Sequence, residues 1–185
     1  MRRIRFSDLP AQYNAVKTET LASWGQIMES GSFIGGDFVR RFEAEFASYV
    51  GADYCVGVGN GTDALEIGLL ALDLPRNSAV LVPANSFVAT AEAAVNVGLR
   101  VKFVDVLEDY SIDILDLKSK IDANASCLAV VHLYGHPAPM KELVQIASSA
   151  GLKIIEDCAQ AHGAEIDGQR VGTFGSFGAF SFYPG

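Results

Sequence analysis

Apolar positions change their period along this chain. Up to about residue 50 they recur at helical spacing, and a helix is predicted over Thr18 to Met28. Ser30-Gly31-Ser32-Phe33-Ile34-Gly35-Gly36 interrupts it, and Asp37 opens a second helix. Phe38, Phe42, Phe46 and Tyr49 fall on one face of that helix, a stripe expected to pack in the core. From Tyr54 short β-branched runs alternate with longer amphipathic ones. Strands are predicted at Tyr54–Val58, Ala79–Val82, Arg100–Val104, Cys127–His132, Lys153–Glu156 and Phe177–Phe182. Helices are predicted at Thr62–Leu72, Ser86–Val97, Ile114–Ile121 and Met140–Ala150. Such a series predicts an α/β fold in three layers, a mostly parallel sheet with helices on both faces and right-handed connections.

Composition narrows the class. The 185 residues are 50% hydrophobic and 19% charged, enough for one sizeable core. No run approaches the roughly 20 apolar residues of a membrane span. The basic start Met1-Arg2-Arg3-Ile4-Arg5 is broken by Ser7, Asp8 and Pro10 before an apolar region forms, so no signal peptide is expected. Cys55, Cys127 and Cys158 are widely spaced and read as reduced thiols of a cytoplasmic protein. A net charge of −8 argues against nucleic-acid or acidic-membrane binding, which needs a basic field. It leaves room for a small phosphorylated ligand held by local backbone N–H groups.

Four stretches can carry chemistry. Val58-Gly59-Asn60-Gly61-Thr62-Asp63 runs from a predicted strand through glycines into a helix. That is either an anion site or an ordinary turn with Thr62 or Asp63 capping the helix. A dinucleotide fingerprint fails there. Thr62 stands where a glycine is needed, and the second strand ends in Pro83-Ala84-Asn85 without an acid. In the second stretch, Phe87 follows a strand's carboxyl end and either stacks on a planar ligand or staples the helix start. The third is Glu156-Asp157-Cys158-Ala159-Gln160, past a buried strand, where open α/β sheets place ligands. A carboxylate there either keeps a heteroaromatic ring nitrogen protonated or forms a cap or ion pair. No metal site is expected, because His132, His136 and His162 fall in separate loops. In the last stretch Ser181 ends an apolar strand before Tyr183-Pro184-Gly185. A strand followed by such a turn suggests that the chain belongs to a longer polypeptide, or is interrupted at a modified residue.

Taken in order, these stretches resemble the sugar aminotransferases of the DegT/DnrJ/EryC1/StrS family, which have the fold-type I aspartate-aminotransferase architecture. The resemblance rests on Gly59-Asn60-Gly61-Thr62-Asp63-Ala64-Leu65, Pro83-Ala84-Asn85-Ser86-Phe87, His132-Leu133-Tyr134-Gly135, Glu156 to Ala164 and Ser181-Phe182-Tyr183-Pro184-Gly185. It runs from about Ile4 to the last residue. It implies pyridoxal 5'-phosphate as cofactor, with pyridoxamine phosphate as its aminated form. It also implies that Gly61, Thr62 and Ser181 hold the cofactor phosphate, and that Phe87 and Ala159 lie on the two faces of the ring. Asp157 would pair with the ring nitrogen and Gln160 with the ring hydroxyl. The family's Schiff-base lysine is expected immediately after Gly185, so no catalytic residue is assigned within residues 1–185.

The resemblance further implies transfer of an amino group from glutamate to a keto carbon of a nucleotide-linked sugar, for cell-surface glycans such as O-antigen or for antibiotics. It implies a cytoplasmic homodimer with shared active sites and no nucleic-acid or membrane partner. Phe33, Ile34 and Tyr183 are the candidate substrate contacts. Residues 1–50 are expected to pack as a helical segment on a cofactor-binding large domain formed by 51–185, with a smaller domain beyond it. Two other readings stay open: a sugar 3-dehydratase of the same fold with histidine in place of the lysine, and a non-catalytic regulator.

Overall fold

A computed structural model describes residues 7–183. The basic start and the Pro184-Gly185 turn lie outside the described residues. Two helices lead, α1 (Leu9–Ser30) and α2 (Asp37–Val50), followed by α3 (Gly61–Ala71). Strands then alternate with helices: β1 (Ala79–Pro83), α4 (Val88–Asn96), β2 (Arg100–Val104), α5 (Ile114–Lys120), β3 (Ala125–Val131), α6 (Met140–Ala150) and β4 (Lys153–Asp157). A short hairpin, β5 (Glu165–Ile166) with β6 (Gln169–Arg170), precedes β7 (Phe177–Ala179).

The main sheet has five strands in the order β2-β1-β3-β4-β7, each pair parallel. The connection from β1 goes outward to β2, and the next crosses back to β3. This reversal makes a switch point between β1 and β3, where a crevice opens at the strands' carboxyl ends. Successive residues of each strand face opposite sides of the sheet, and the core divides accordingly. Leu81, Leu128, Val130 and Ile154 pack with Leu117 of α5 and Met140, Leu143 and Ala147 of α6. Val80, Val82, Cys127, Ala129 and Ile155 pack with Leu65 and Leu69 of α3 and Ala93 and Ala94 of α4. Each fully buried aliphatic side chain contributes about 1.5–3 kcal/mol by leaving water. Gly68 lets α3 settle on the sheet, because a Cβ there would run into the Phe177 ring.

Several sequence expectations are corrected. Tyr54–Val58 forms no strand: Tyr54 is 88% exposed, and the Gly57 N–H donates to Glu43 Oε1 on α2 at 2.8 Å instead of to a ladder. Alternation makes a segment fit for a sheet, but a strand exists only beside a partner, and none pairs with it among the described residues. The predicted strand Phe177–Phe182 ends at Ala179. The first helix begins at Leu9, with Pro10 inside its first turn and Asp8 capping it, rather than at Thr18. The α2 stripe is only partly core. Phe46 packs against Phe180, Phe182 and His162, while Phe42 and Tyr49 stay substantially exposed; Ala47 and Val50 are the buried residues of α2. The β5–β6 hairpin was not anticipated, although Asp167-Gly168, both at positive φ, is a strong two-residue turn signal.

Candidate functional site

The cap of α3 is Asn60, in extended backbone, and not Thr62 or Asp63, which lie inside the helix: the Asn60 Oδ1 accepts from the Asp63 N–H at 2.9 Å. The first two N–H groups of the helix, on Gly61 and Thr62, have no intrahelical acceptor and carry the positive end of the helix dipole. Ser181 lies against this turn. A Cβ on Gly61 would sit 2.8 Å from Ser181 Cβ, so only glycine allows the approach. Gly61, Thr62 and Ser181 are therefore gathered at one place from positions about 120 residues apart in sequence. The Ser181 Oγ accepts from the Tyr183 N–H at 3.3 Å.

At the carboxyl end of β4 two adjacent acids part ways. Glu156 has the parity of Ile154 and faces the α5–α6 side. Its carboxylate accepts from the N–H groups of Gly172 (2.8 Å), Phe174 (2.7 Å) and Gly175 (2.7 Å) and meets His132 Nε2 at 3.1 Å. The Ala138 N–H donates to His132 Nδ1 at 3.1 Å, so the imidazole proton sits on Nε2 and points at Glu156. The Cys158 thiol lies beside this hub, its ligand atom within 4.8 Å of those of His132 and Glu156. Burial first, then Glu156 and Asp157, push that thiol well above the usual thiol range. The donor atoms of His132 and Glu156 are engaged within the protein, so the cluster works as a hydrogen-bonded hub tying β3, β4 and the loop before β7.

Asp157 has the parity of Ile155 and faces the α3–α4 side. It is 6% exposed. Thr90 of α4 donates from Oγ1 to its Oδ2 at 2.6 Å, and the Ala159 N–H donates to Oδ1 at 3.2 Å. Burial pushes the Asp157 carboxyl above the usual carboxylate range, against the pull of Thr90, the Ala159 N–H and His132. The site therefore prefers a cationic partner beside this carboxylate. Thr90 escaped the sequence reading. Its signal was a lone hydroxyl residue inside the alanine-rich turn Val88-Ala89-Thr90-Ala91, fully buried in the structure.

Phe87 occupies the N-cap position of α4 but makes no side-chain cap bond, and it is 69% exposed. A residue stapling the helix start would be packed; this ring instead leaves a face open. Gln160 is exposed, with its Oε1 accepting from the Tyr134 N–H at 2.9 Å. That bond orients the amide so that its NH2 is the end left to donate. Ala159 is half-buried between Asp157 and Gln160. Tyr134, at the turn after β3, holds a positive φ of 56° and sets its ring against Tyr110 edge to face. Phe33 and Ile34 stand exposed on the loop between α1 and α2, and Tyr183 is exposed past Ser181. No helix of the described residues is long and apolar enough to cross a membrane.

Known proteins resemble this chain in sequence and in fold. The chain is 43% identical over 178 residues to the UDP-N-acetyl-3-dehydro-alpha-D-glucosamine 3-aminotransferase of Acidithiobacillus ferrooxidans, covering 96% of this chain and 48% of that protein. It is 41% identical over 184 residues to the dTDP-3-amino-3,4,6-trideoxy-alpha-D-glucose transaminase of Streptomyces venezuelae, covering 99% of this chain and 48% of that one. The crystal structure of S. venezuelae DesV in complex with a ketimine intermediate superposes with a TM-score of 0.94 at 40% identity, covering all of this chain and 50% of that one. The chain thus spans about half the length of the relatives it matches, and its fold is that of the fold-type I aminotransferases. With the family model for the DegT/DnrJ/EryC1/StrS aminotransferases matching residues 14–185, the chain belongs to that family.

Proposed function

We propose that the protein to which this chain belongs is a pyridoxal 5'-phosphate-dependent aminotransferase that places an amino group on a keto carbon of a nucleotide-linked sugar. The observation that carries this reading is the geometry around Asp157. A buried carboxylate with open lone pairs lies at the carboxyl end of β4, next in sequence to Ala159 and Gln160. The Gly61–Ser181 cradle lies on the same side of the sheet, and Phe87 begins the helix that carries Thr90.

The residues fit such a cofactor. Without a Cβ at Gly61, Ser181 comes up against the first turn of α3, which sets its hydroxyl beside the free N–H groups a phosphate needs at a helix start. Gly61 and Thr62 would donate backbone N–H groups to it, with the Thr62 and Ser181 hydroxyls beside them. Asp157 would hold a proton on the ring nitrogen, Phe87 and Ala159 would bracket the ring, and the Gln160 NH2 would donate to the ring oxygen. When bound, the cofactor supplies an electron sink that stabilises negative charge on the carbon next to the amine nitrogen. Asp157, itself buried, would make that sink effective by keeping the ring cationic.

Phe33, Ile34 and Tyr183 are the proposed substrate contacts. Glutamate is the proposed amino donor. The sugar's C3 is the proposed acceptor carbon, the carbon at which the names of two relatives place the amino group for those proteins. A homodimer is supported by Trp24, Met28, Phe33 and Ile34, large apolar side chains standing exposed on α1 and the loop after it. Residues 51–185 would serve as the cofactor-binding part, with residues 1–50 packed on it and a second domain completing the protein.

The full-length protein loaded with pyridoxal 5'-phosphate should be yellow. Glutamate should bleach the band, and a nucleotide-linked 3-keto sugar should restore it. A protein that stays colourless with cofactor in excess would overturn this reading.

A further inference from the structure

The hydroxyl that grips Asp157 belongs to a chain of two. Thr90 Oγ1 lies 2.6 Å from Asp157 Oδ2 and 2.8 Å from Ser86 Oγ. A hydroxyl has one proton to give. An ionised carboxylate can only accept, so the Thr90 proton goes to Asp157 and Thr90 must accept from Ser86. The order Ser86 to Thr90 to Asp157 is thereby fixed for as long as Asp157 is ionised. Thr90 is 1% exposed, so water does not stand in for it.

The relay also sits on a telling element. Ser86, Phe87 and Thr90 belong to one short stretch at the start of α4, with the Thr90 N–H donating to Phe87 O at 3.2 Å. One helical turn therefore carries both the exposed aromatic ring and the hydroxyl that orients the carboxylate. The other titratable groups near Asp157 are Glu156 and Cys158, its neighbours in sequence, and His132. Glu156 and His132 are bonded to each other on the opposite side of the sheet. None of them replaces the Thr90 donor.

We propose that Thr90, backed by Ser86, is the positioning residue that aims Asp157 at the cofactor's ring nitrogen and fixes where the shared proton resides. This rests on the aminotransferase reading above. With the hydroxyl in place, the carboxylate is stabilised as an acceptor and the proton stays on the ring. Without it, the carboxylate rotates more freely and competes for that proton.

The test uses the full-length protein bound to pyridoxamine phosphate carrying a 15N ring nitrogen, whose resonance reports protonation directly. Wild type should show the protonated position. Thr90→Val, equal in shape but without the hydroxyl, should move the resonance toward the unprotonated position and lower turnover by about tenfold or more, the scale of a hydrogen bond to a charged group. Thr90→Ser should restore both. Ser86→Ala should shift the resonance in the same direction by less, and it carries the test should Thr90→Val not fold. Bound cofactor with an unmoved resonance in Thr90→Val, or in Ser86→Ala where that variant carries the test, would overturn the proposal while leaving the aminotransferase reading intact. Failure of wild type to bind the cofactor at all would overturn both.

Discussion

The two sides of the sheet at the end of β4 treat neighbouring carboxylates differently. A carboxylate offers about four acceptor positions. On the α5–α6 side, Glu156 is 0% exposed and meets four donors: three backbone N–H groups and the His132 Nε2 proton. On the α3–α4 side, Asp157 meets two, one hydroxyl and one N–H. Both acids are buried, so burial does not tell them apart; the number of donors does. An acid whose lone pairs are all taken within the protein is part of the framework, and one with acceptor positions left over can serve a ligand.

The largest effect should come from exchanging acid for amide at Glu156. Glutamine has a single acceptor oxygen and would set an NH2 group against the His132 or Gly172 donor. Glu156→Gln should cost about 3–6 kcal/mol of stability, two hydrogen bonds to a charged acceptor at about 1.5–3 kcal/mol each. Denaturant unfolding of the full-length protein measures it, and a loss below about 1 kcal/mol would erase the contrast between the two acids.

The same exchange one residue on should do the reverse. Asp157→Asn should cut turnover on the order of 10²- to 10³-fold, comparable to removing a preorganised electrostatic contact in an active site, with sugar affinity changed far less. Its folding stability should be preserved or improved. Burial raises the folded-state value of the Asp157 carboxyl above its unfolded value. The folded state then binds more protons in the window between those values, so this group's contribution is full below the ordinary carboxylate range and is lost as pH rises through the raised value. The cofactor-free variant should therefore gain on wild type as pH increases through that window, and thermal unfolding across mildly acidic and neutral pH checks the sign. Near-normal turnover would remove Asp157 from the site.

The smallest effect sharpens the α3–α4 side further. Phe87→Ala should weaken cofactor retention by about 0.5–1.5 kcal/mol beyond lost area, the worth of an aromatic pair, while leaving folding nearly unchanged because the ring is mostly exposed. Equilibrium dialysis and denaturant unfolding of the same sample separate the two. A large loss of stability with intact retention would place Phe87 in the framework instead.

Much of this was legible in the sequence where the cause is local. The alternation of βα units and the acids past Ile155 follow from short-range patterns of polarity and backbone preference, whereas the cap fell on Asn60 and not on Thr62 or Asp63, and the exposure of Phe87 was left open between stacking and stapling. The misses have a common cause. Tyr54–Val58 has the right alternation, but no strand beside it among the described residues. Phe42 and Tyr49 lie on the apolar face of α2, yet what covers that face covers Phe46 better. The β5–β6 hairpin was missed although its Asp-Gly turn stood in plain view.

The sequence by itself determined that Glu156 and Asp157 end a buried strand, and therefore that they face opposite ways, because side chains alternate along any strand. Only the tertiary structure decided which of them was left with acceptor positions. The donors that satisfy Glu156 come from His132 and from residues 172–175, and the hydroxyl that steadies Asp157 comes from Thr90, 67 positions away. Hydrogen-bond partners at such separations are brought together by packing of the sheet and its helices, not by the neighbours of either acid in the chain.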